Sequence, residues 1–398
     1  MRTTGDKVAL SFSFPSANVG AGLLGAVFIL AIALLTFAQE PDAAQRFQDA
    51  LQAQRRGDAA LAVRKYQDLL RLRPDMVEAR VNLGVVLASL GRLDDAIMQY
   101  RTALREAPTN RDARFNLGLT YFKKRNYSQA ADEFGALHDT EPGDVRTTTL
   151  LGICDVHLGR DDNAISLLMP IERIAPDNLD LKWALGSALI HSGRTEEGVE
   201  RVERVADQRH SAEAYLLAAE SYSALTLFDR ARRDASEAIR LNPNLPRAYI
   251  VIGTIDEYAG DMKGAEAAFE TVLKANLNDF QAHLHLGVLF CDERQLKAAR
   301  GHLVRALEFE PSSALARFQL AQVERAQGDV QAAVKDLEAV VREKPEWLKP
   351  HVQLAALYFF LKRPEDGARE KEIVDELSAR EQPTKGTMPI IPPKLPSH

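Results

Sequence analysis

The 398-residue sequence contains 50 lysine and arginine residues against 56 aspartate and glutamate residues, giving a net charge of −6. The basic residues are spread through the chain and form no basic stretch of the kind that binds nucleic acid, so we expect no nucleic-acid partner. Apolar residues make up 46% of the sequence, which is enough for a large buried core.

The first element in chain order is an apolar segment, which we interpret as a single hydrophobic targeting helix. Residues 8–39 carry no charge, Arg2 and Lys7 precede them, and Glu40 and Asp42 follow. This charge bias keeps a short N-terminus in the cytoplasm and sends the rest of the chain across the membrane. We therefore expect an extracytoplasmic protein that is periplasmic, secreted or tethered to the inner membrane.

Two fates of residues 1–38 stay open. Thr36, Phe37 and Ala38 form an acceptable cleavage signal before Gln39, and we favour removal as a signal peptide. An apolar run of about 20 residues is also long enough to span a bilayer as an uncleaved signal anchor. Contact with a membrane is expected only through this helix, and residues 39–42 form a linker to the next element.

The next part of the chain is marked by prolines at a regular interval. Four prolines lie 34 residues apart, and three more continue on nearly the same spacing: Pro74, Pro108, Pro142, Pro176, Pro243, Pro311 and Pro345. Between prolines, two segments with helical apolar spacing are separated by a turn, as at Gly91. A fixed period of this length is typical of a solenoid built from small repeated units. The sequence therefore predicts an all-α array of two-helix units.

Small residues recur at two fixed places in every unit. The eighth residue is Ala50, Gly84, Gly118, Gly152, Gly186, Ala219, Gly253, Gly287, Ala321 or Ala355, and the twentieth is Ala62, Ala96, Ala130, Ala164, Gly198, Ala231, Ala265, Ala299, Ala333 or Gly367. This pattern resembles the tetratricopeptide repeat, and the resemblance implies a right-handed α-solenoid. The predicted units are 43–76, 77–110, 111–144, 145–178, 179–211, 212–245, 246–279, 280–313, 314–347 and 348–381, followed by a proline-rich tail, 382–398, that we expect to be extended or disordered.

Some positions depart from the family pattern. The fourth residue of a unit, often tryptophan in the family, is polar in most units, as at Arg80 and His283, and we expect this to weaken single units. The fifth unit is one residue short and has His210 where proline is expected. We predict a change of path or a flexible joint at 203–212.

The resemblance implies that partners bind on the concave face, which is lined by positions two, five, nine, twelve and thirteen of each first helix. In units three to five the candidate groove residues are Phe115, Leu119, Phe122, Lys123, Arg146, Thr149, Ile153, His157, Trp183, Ser187, Ile190 and His191. Aromatic and aliphatic anchors flanked by charges suit a protein or peptide segment. The alternative is that Phe115, Phe122 and Trp183 pack against neighbouring units.

Sequence motifs for catalysis are missing. The chain has no phosphate-binding glycine loop with lysine, no His-Glu-x-x-His, no Cys-x-x-Cys and no Gly-x-Ser-x-Gly motif. Cys154, Asp155, His157 and His191 come nearest to a metal-binding group, but matched histidines in repeats are more often surface residues. Cys154 and Cys291 are four units apart, too far for a disulfide. We predict no enzyme, no catalytic residues, no metal and no cofactor.

Three functions fit these features. The leading one is a non-enzymatic extracytoplasmic scaffold or adaptor that binds a partner polypeptide along its concave face. The second is a structural solenoid that associates with copies of itself. The third is an accessory arm that holds substrate for an enzyme encoded elsewhere, as tetratricopeptide arrays resemble the substrate-holding arms of some glycosyltransferases.

Overall fold

The computed structural model describes residues 43–381, and these contain twenty α-helices and no β-strand. The predicted targeting segment, the linker and the proline-rich tail lie outside the described residues. The helices are α1 (43–55), α2 (Ala59–Leu72), α3 (Val77–Ser89), α4 (Leu93–Glu106), α5 (Arg111–Lys123), α6 (Tyr127–His138), α7 (Val145–His157), α8 (Asp161–Ile174), α9 (Leu179–His191), α10 (Thr195–Arg209), α11 (Ala212–Ala224), α12 (Phe228–Leu241), α13 (Pro246–Ala259), α14 (Met262–Ala275), α15 (Phe280–Asp292), α16 (Leu296–Phe309), α17 (Ala314–Gln327), α18 (Val330–Glu343), α19 (Leu348–Phe360) and α20 (Pro364–Glu381). The predicted all-α fold is confirmed.

The chain forms two compact units, which divide within α9 between Ala184 and Leu185. Inside each unit, helices that are consecutive in the chain pack against each other. First helices of successive repeats also touch, as α3 and α5 do in the first unit and α13 and α15 do in the second. One face of each compact unit is therefore lined by the first helices of its repeats.

Glycine at the eighth position allows the two helices of a repeat to pack closely. A Cβ atom added to Gly84 would lie 2.5 Å from the ring of Tyr100, and one added to Gly253 would lie 2.4 Å from the ring of Phe269. Real Cβ atoms do not approach neighbours so closely, so a larger residue would separate the helices. The ring at the twenty-fourth position thus fills the space above the eighth, which explains why small residues recur there.

A residue in the left-handed conformation joins the two helices of every described repeat, always at the fifteenth position. These residues are Gly57, Gly91, Arg125, Gly159, Gly193, Thr226, Gly260, Arg294, Gly328 and Lys362. Glycine adopts this conformation at little cost, whereas other residues lose about 1–2 kcal/mol. The four repeats without glycine here therefore carry local strain, and the strain is greatest at the β-branched Thr226.

The polar residue at the fourth position fastens its helix to the preceding loop in six repeats. Arg114 donates to the carbonyl oxygen of Pro108 at 2.9 Å and to the Glu133 carboxylate on the second helix at 3.0 Å. The same carbonyl six residues upstream is bonded by Arg80, Arg114, Thr148, His283, Arg317 and His351. These bonds connect loop, first helix and second helix, and they offset the weakening expected from the departures at this position.

The predicted joint lies inside the second compact unit, where hydrogen bonds join α10 to α11. Tyr215 donates its hydroxyl proton to the Asp207 carboxylate at 2.9 Å, and Tyr222 donates to Glu203. The compact units divide elsewhere, between Ala184 and Leu185, and the change of path or flexible joint at 203–212 stays a prediction.

Buried charge extends this network to α12. Asp234 is fully buried, and its Oδ1 atom accepts a hydrogen bond from Arg233 at 2.8 Å while Oδ2 has no partner. Arg233 also bonds Glu203. Burial raises the pKa of Asp234 to about 6, because the charge of Arg233 offsets the loss of water only in part.

Candidate functional site: the first-helix face

We define the first-helix face as positions two, five, nine, twelve and thirteen of each first helix. Among the candidate residues on this face, Phe115 is only 8% exposed. Its ring packs on Phe134, with ring centroids 5.8 Å apart, and the Arg146 guanidinium of the next repeat lies 4.5 Å from its ring centroid. Phe115 therefore belongs to the packing between repeats three and four and offers little surface to a partner.

Phe122 also takes part in contacts between neighbouring repeats. Its ring centroid lies 5.5 Å from Tyr127 and 6.5 Å from His157 of the next repeat, and the imidazole of His157 stacks on Tyr127 at 4.1 Å. His157 is exposed as a residue, but partial desolvation of its imidazole, together with the charge of Arg125, lowers the pKa of His157. The imidazole is thus neutral at pH 7 and stacks as an aromatic ring.

The other candidates differ in exposure. Thr149 and Ser187 are buried, and neither hydroxyl has a hydrogen-bond partner within the described residues. The partly buried candidates are Leu119, Phe122, Ile153, Trp183 and Ile190, and the exposed ones are Lys123, Arg146, His157 and His191. Ser187, Ile190 and His191 belong to the second compact unit and the remaining nine to the first. The predicted set is therefore divided between the two compact units, nine residues in the first and three in the second.

The second compact unit instead exposes apolar residues on its own first-helix face. Tyr258 and Phe360 are each 71% exposed, Phe359 is 48% exposed, and Leu315 and Val352 are 47% exposed. All five occupy positions two, five, twelve or thirteen of their repeats. They were not among the predicted residues, because candidates were assigned to the groove positions only in units three to five. The same groove positions in repeats seven, nine and ten would have identified all five residues.

In the second compact unit, polar side chains on the first-helix face are paired with each other or with residues beside the face. Arg247 donates to the Glu220 carboxylate at 2.6 Å, joining two successive repeats. Gln322 donates to Gln353 of the next repeat, also at 2.6 Å. Because these groups are satisfied within the protein, the exposed apolar side chains are the groups with most to gain from contact with a partner.

Chemistry at this face is limited. No group of three or more histidine, cysteine, aspartate or glutamate residues within 43–381 is arranged to hold a metal ion. Cys154 and Cys291 are free thiols, and burial raises the pKa of Cys154 to about 12. A thiol with such a pKa is protonated at neutral pH and is a poor nucleophile.

The repeat geometry agrees with a comparison against known families. A profile described as "Tetratricopeptide repeat" matches residues 47–111, 90–145, 250–307 and 291–346. The chain is a tetratricopeptide repeat protein. Arrays of this repeat generally mediate contacts between proteins and are typically non-catalytic.

Within residues 43–381, no helix has both the length and the apolar character needed to cross a membrane.

Two curated relatives match part of the array. Human protein O-mannosyl-transferase TMTC1 is 25% identical over 180 residues, which cover 44% of this chain and 20% of that protein. Anaphase-promoting complex subunit 3 of Schizosaccharomyces pombe is 22% identical over 248 residues, covering 60% of this chain and 36% of that protein. The chain therefore spans well under two thirds of the length of either relative.

Solved structures with low sequence identity also match. A tetratricopeptide repeat protein from Parabacteroides merdae is 15% identical, with a TM-score of 0.46, and the match covers 65% of this chain and 98% of that chain. The APC/C hetero-tetramer Cut9–Hcn1 gives 14% identity and a TM-score of 0.46, covering 85% of this chain and 88% of that chain.

Proposed function

We propose that this tetratricopeptide repeat protein is a non-enzymatic scaffold that binds a partner polypeptide on the first-helix face of its second compact unit. The observation that carries the proposal is the set of five exposed apolar side chains at matching repeat positions, Tyr258, Leu315, Val352, Phe359 and Phe360. Large apolar side chains supply most of the binding energy at protein interfaces. Their placement at positions that face partners in this family favours a polypeptide ligand.

The groups on this face also define what kind of segment would bind. Arg247 and Glu220 are paired, and the Glu257 carboxylate lies 3.2 Å from Nδ1 of His285. A partner that relied on charge alone would have to break such pairs. A segment with apolar side chains at intervals, carried on a helix or an extended strand, would bury Tyr258 and Leu315 without that loss.

Site-specific photo-crosslinking tests this proposal. A benzophenone amino acid placed at Tyr258 or Leu315 in living cells should give the same discrete partner adducts. The same residue placed at Met98, which is exposed on the second helix of repeat two, serves as the control and should give none of them. Adducts that are equal at all three positions, or none at Tyr258 and Leu315, would contradict the proposal.

We further propose that the protein acts outside the cytoplasm. The support is the uncharged apolar segment of residues 8–39 with basic residues before it and acidic residues after it. Fractionation of cells should place the protein in the envelope or the medium. N-terminal sequencing then distinguishes the two forms, since a chain that begins at Gln39 has lost a signal peptide and one that retains residues 1–38 is anchored.

A second candidate function is an accessory arm for an enzyme encoded elsewhere. It is favoured by the match of 180 residues to part of human protein O-mannosyl-transferase TMTC1. Crosslinks from Tyr258 to a glycosyltransferase would support this candidate, and crosslinks to proteins without enzymatic domains would support the scaffold. Self-association is tested separately by multi-angle light scattering, and the mass of a monomer would exclude this hypothesis.

A further inference from the structure

The last repeat leaves open a surface that the next repeat covers elsewhere in the chain. Val352 and Phe359 on α19 are 47% and 48% exposed. Their equivalents in repeat three are Phe115, which lies under Arg146 of repeat four, and Phe122, which contacts His157 of repeat four. The exposed surface of repeat ten therefore corresponds to the seat of a following first helix.

A shallow groove lies beside this surface. It has a volume of about 740 Å³ and is lined by Phe359, Ala368, Lys371, Glu372, Asp375, Glu376 and Ala379. Its floor is apolar, while α20 contributes three carboxylates and one ammonium group. A second copy of this chain, docked with the same face, would bring equal charges together, which disfavours a symmetric dimer here.

The carboxylates occupy positions that bind the next first helix in inner repeats. Glu372 is the twenty-fifth residue of its repeat, as are Glu203 and Glu338. Each of those two accepts a hydrogen bond from the tyrosine at the eleventh position of the following first helix, and the Tyr358 hydroxyl lies 2.7 Å from Glu338. Glu372 is therefore placed to accept a tyrosine hydroxyl from a docked helix.

Asp375 extends the correspondence. It is the twenty-eighth residue of its repeat, as Glu172 is in repeat four. Glu172 lies 3.8 Å from Nζ of Lys182, the fourth residue of the following first helix. A docked helix in the same register would thus carry a lysine for Asp375 and, seven residues later, a tyrosine for Glu372.

We propose that the open face of repeat ten binds an amphipathic helix of a partner protein with the pattern Lys-x-x-x-x-x-x-Tyr. The apolar side of the helix covers Val352 and Phe359, and the lysine and tyrosine bind Asp375 and Glu372. This inference rests on the proposed function, and it specifies the partner chemistry at the last repeat.

The chain itself provides a probe. Helix α11 carries a tyrosine, Tyr222, at the eleventh position of its repeat. A hydrocarbon-stapled, fluorescein-labelled peptide of residues 211–225 with Tyr215→Lys has the full pattern. Fluorescence anisotropy with the purified full-length chain should show saturable binding that Phe359→Asp weakens by at least about tenfold. Met98→Asp is the control, because Met98 is an exposed apolar side chain on the second helix of repeat two, and it should leave binding unchanged.

A double-mutant cycle tests the register. Glu372→Gln and the peptide change Tyr222→Phe should each weaken binding by about tenfold, the size expected for a hydrogen bond to a charged group, and together they should cost no more than either alone. Additive effects, or equal losses with Phe359→Asp and Met98→Asp, would overturn the proposed site. Peptide binding that appears only after deletion of residues 382–398 would overturn a partner helix in favour of the chain's own tail.

The two proposals fail separately. If the peptide does not bind while crosslinks at Tyr258 still capture a discrete partner, the helix site at repeat ten is wrong and the scaffold function stands. A dimer mass by light scattering that Phe359→Asp converts to a monomer mass would identify a second copy as the occupant and overturn the partner helix.

Discussion

Phe115 in the first compact unit and Val352 in the second occupy the same place in their repeats, yet the first is buried and the second is half exposed. The side chain at this place packs under the following first helix when a repeat continues the array, as Arg146 shows over Phe115. Repeat position alone therefore does not decide whether a residue supports the fold or faces a partner. What decides is whether the next repeat covers it.

The largest expected effect contrasts Phe115→Ala with Phe360→Ala. Loss of the buried Phe115 ring leaves a cavity beside Phe134 and should destabilise the protein by about 3–5 kcal/mol. Loss of the exposed Phe360 ring should change stability by less than about 0.5 kcal/mol. Urea denaturation followed by circular dichroism measures both. Similar losses from the two variants would remove the contrast between covered and open faces.

A second contrast concerns buried charge, which the second unit places between α10, α11 and α12. The pKa of Asp234 is raised to about 6, so the folded state binds a proton more tightly than the unfolded state, and this contribution to stability falls as pH rises from about 4 to above 6. Asp234→Asn removes the titration and retains an acceptor for Arg233. Its Tm should exceed that of the wild type at pH 7.5, by about 3 °C if the gain is 1 kcal/mol.

The control for Asp234→Asn is a comparison of the variant with the wild type at a second, lower pH. At pH 4 the wild-type carboxyl is protonated, and the difference in Tm between the two proteins should close. A difference that stays constant from pH 4 to pH 7.5 would show that titration of Asp234 is not its cause. Glu203 and Asp207 lie in the same network, so both proteins must be compared at each pH.

A smaller effect tests whether Thr149, in the first compact unit, is a buried residue of the fold or a residue that binds a partner. The Thr149 hydroxyl is buried without a partner, so Thr149→Val should stabilise the protein by about 1 kcal/mol. Thr148→Val is the neighbouring control, because the Thr148 hydroxyl lies 2.9 Å from Nδ1 of His138 and its loss should destabilise. Thermal unfolding distinguishes the two signs. Loss of partner capture by Thr149→Val at unchanged stability would restore Thr149 as a groove residue.

The smallest expected effect comes from the turns, which both units share. Thr226→Gly relieves the backbone strain of a left-handed conformation in the second compact unit, and Arg125→Gly does so in the first compact unit. We expect each change to stabilise by about 0.5–1 kcal/mol, with the larger gain at the β-branched Thr226. Urea midpoints measure the gains, and Gly260→Ala in the same turn position should show the opposite sign.

Much of the fold could be predicted because its determinants are local. The small residue at the eighth position and the ring sixteen residues later, as at Gly84 and Tyr100, are close in sequence and recur at one period. The candidate site was harder to predict. Burial of Phe115 depends on Arg146, thirty-one residues away, and exposure of Val352 depends on whether a further first helix packs on repeat ten. Periodicity assigns such residues to a face and leaves their exposure undetermined.

The sequence by itself determined the repeat, its two helices and the turn between them, since each follows from spacing and residue size within one repeat. Tertiary structure decided which side chains remain open, where the chain divides, and what the polar residues at the fourth position bind. The physical reason is that contacts between repeats join residues some 20 to 30 positions apart, as Arg232 and Asp256 do. Their geometry is fixed only when neighbouring repeats pack.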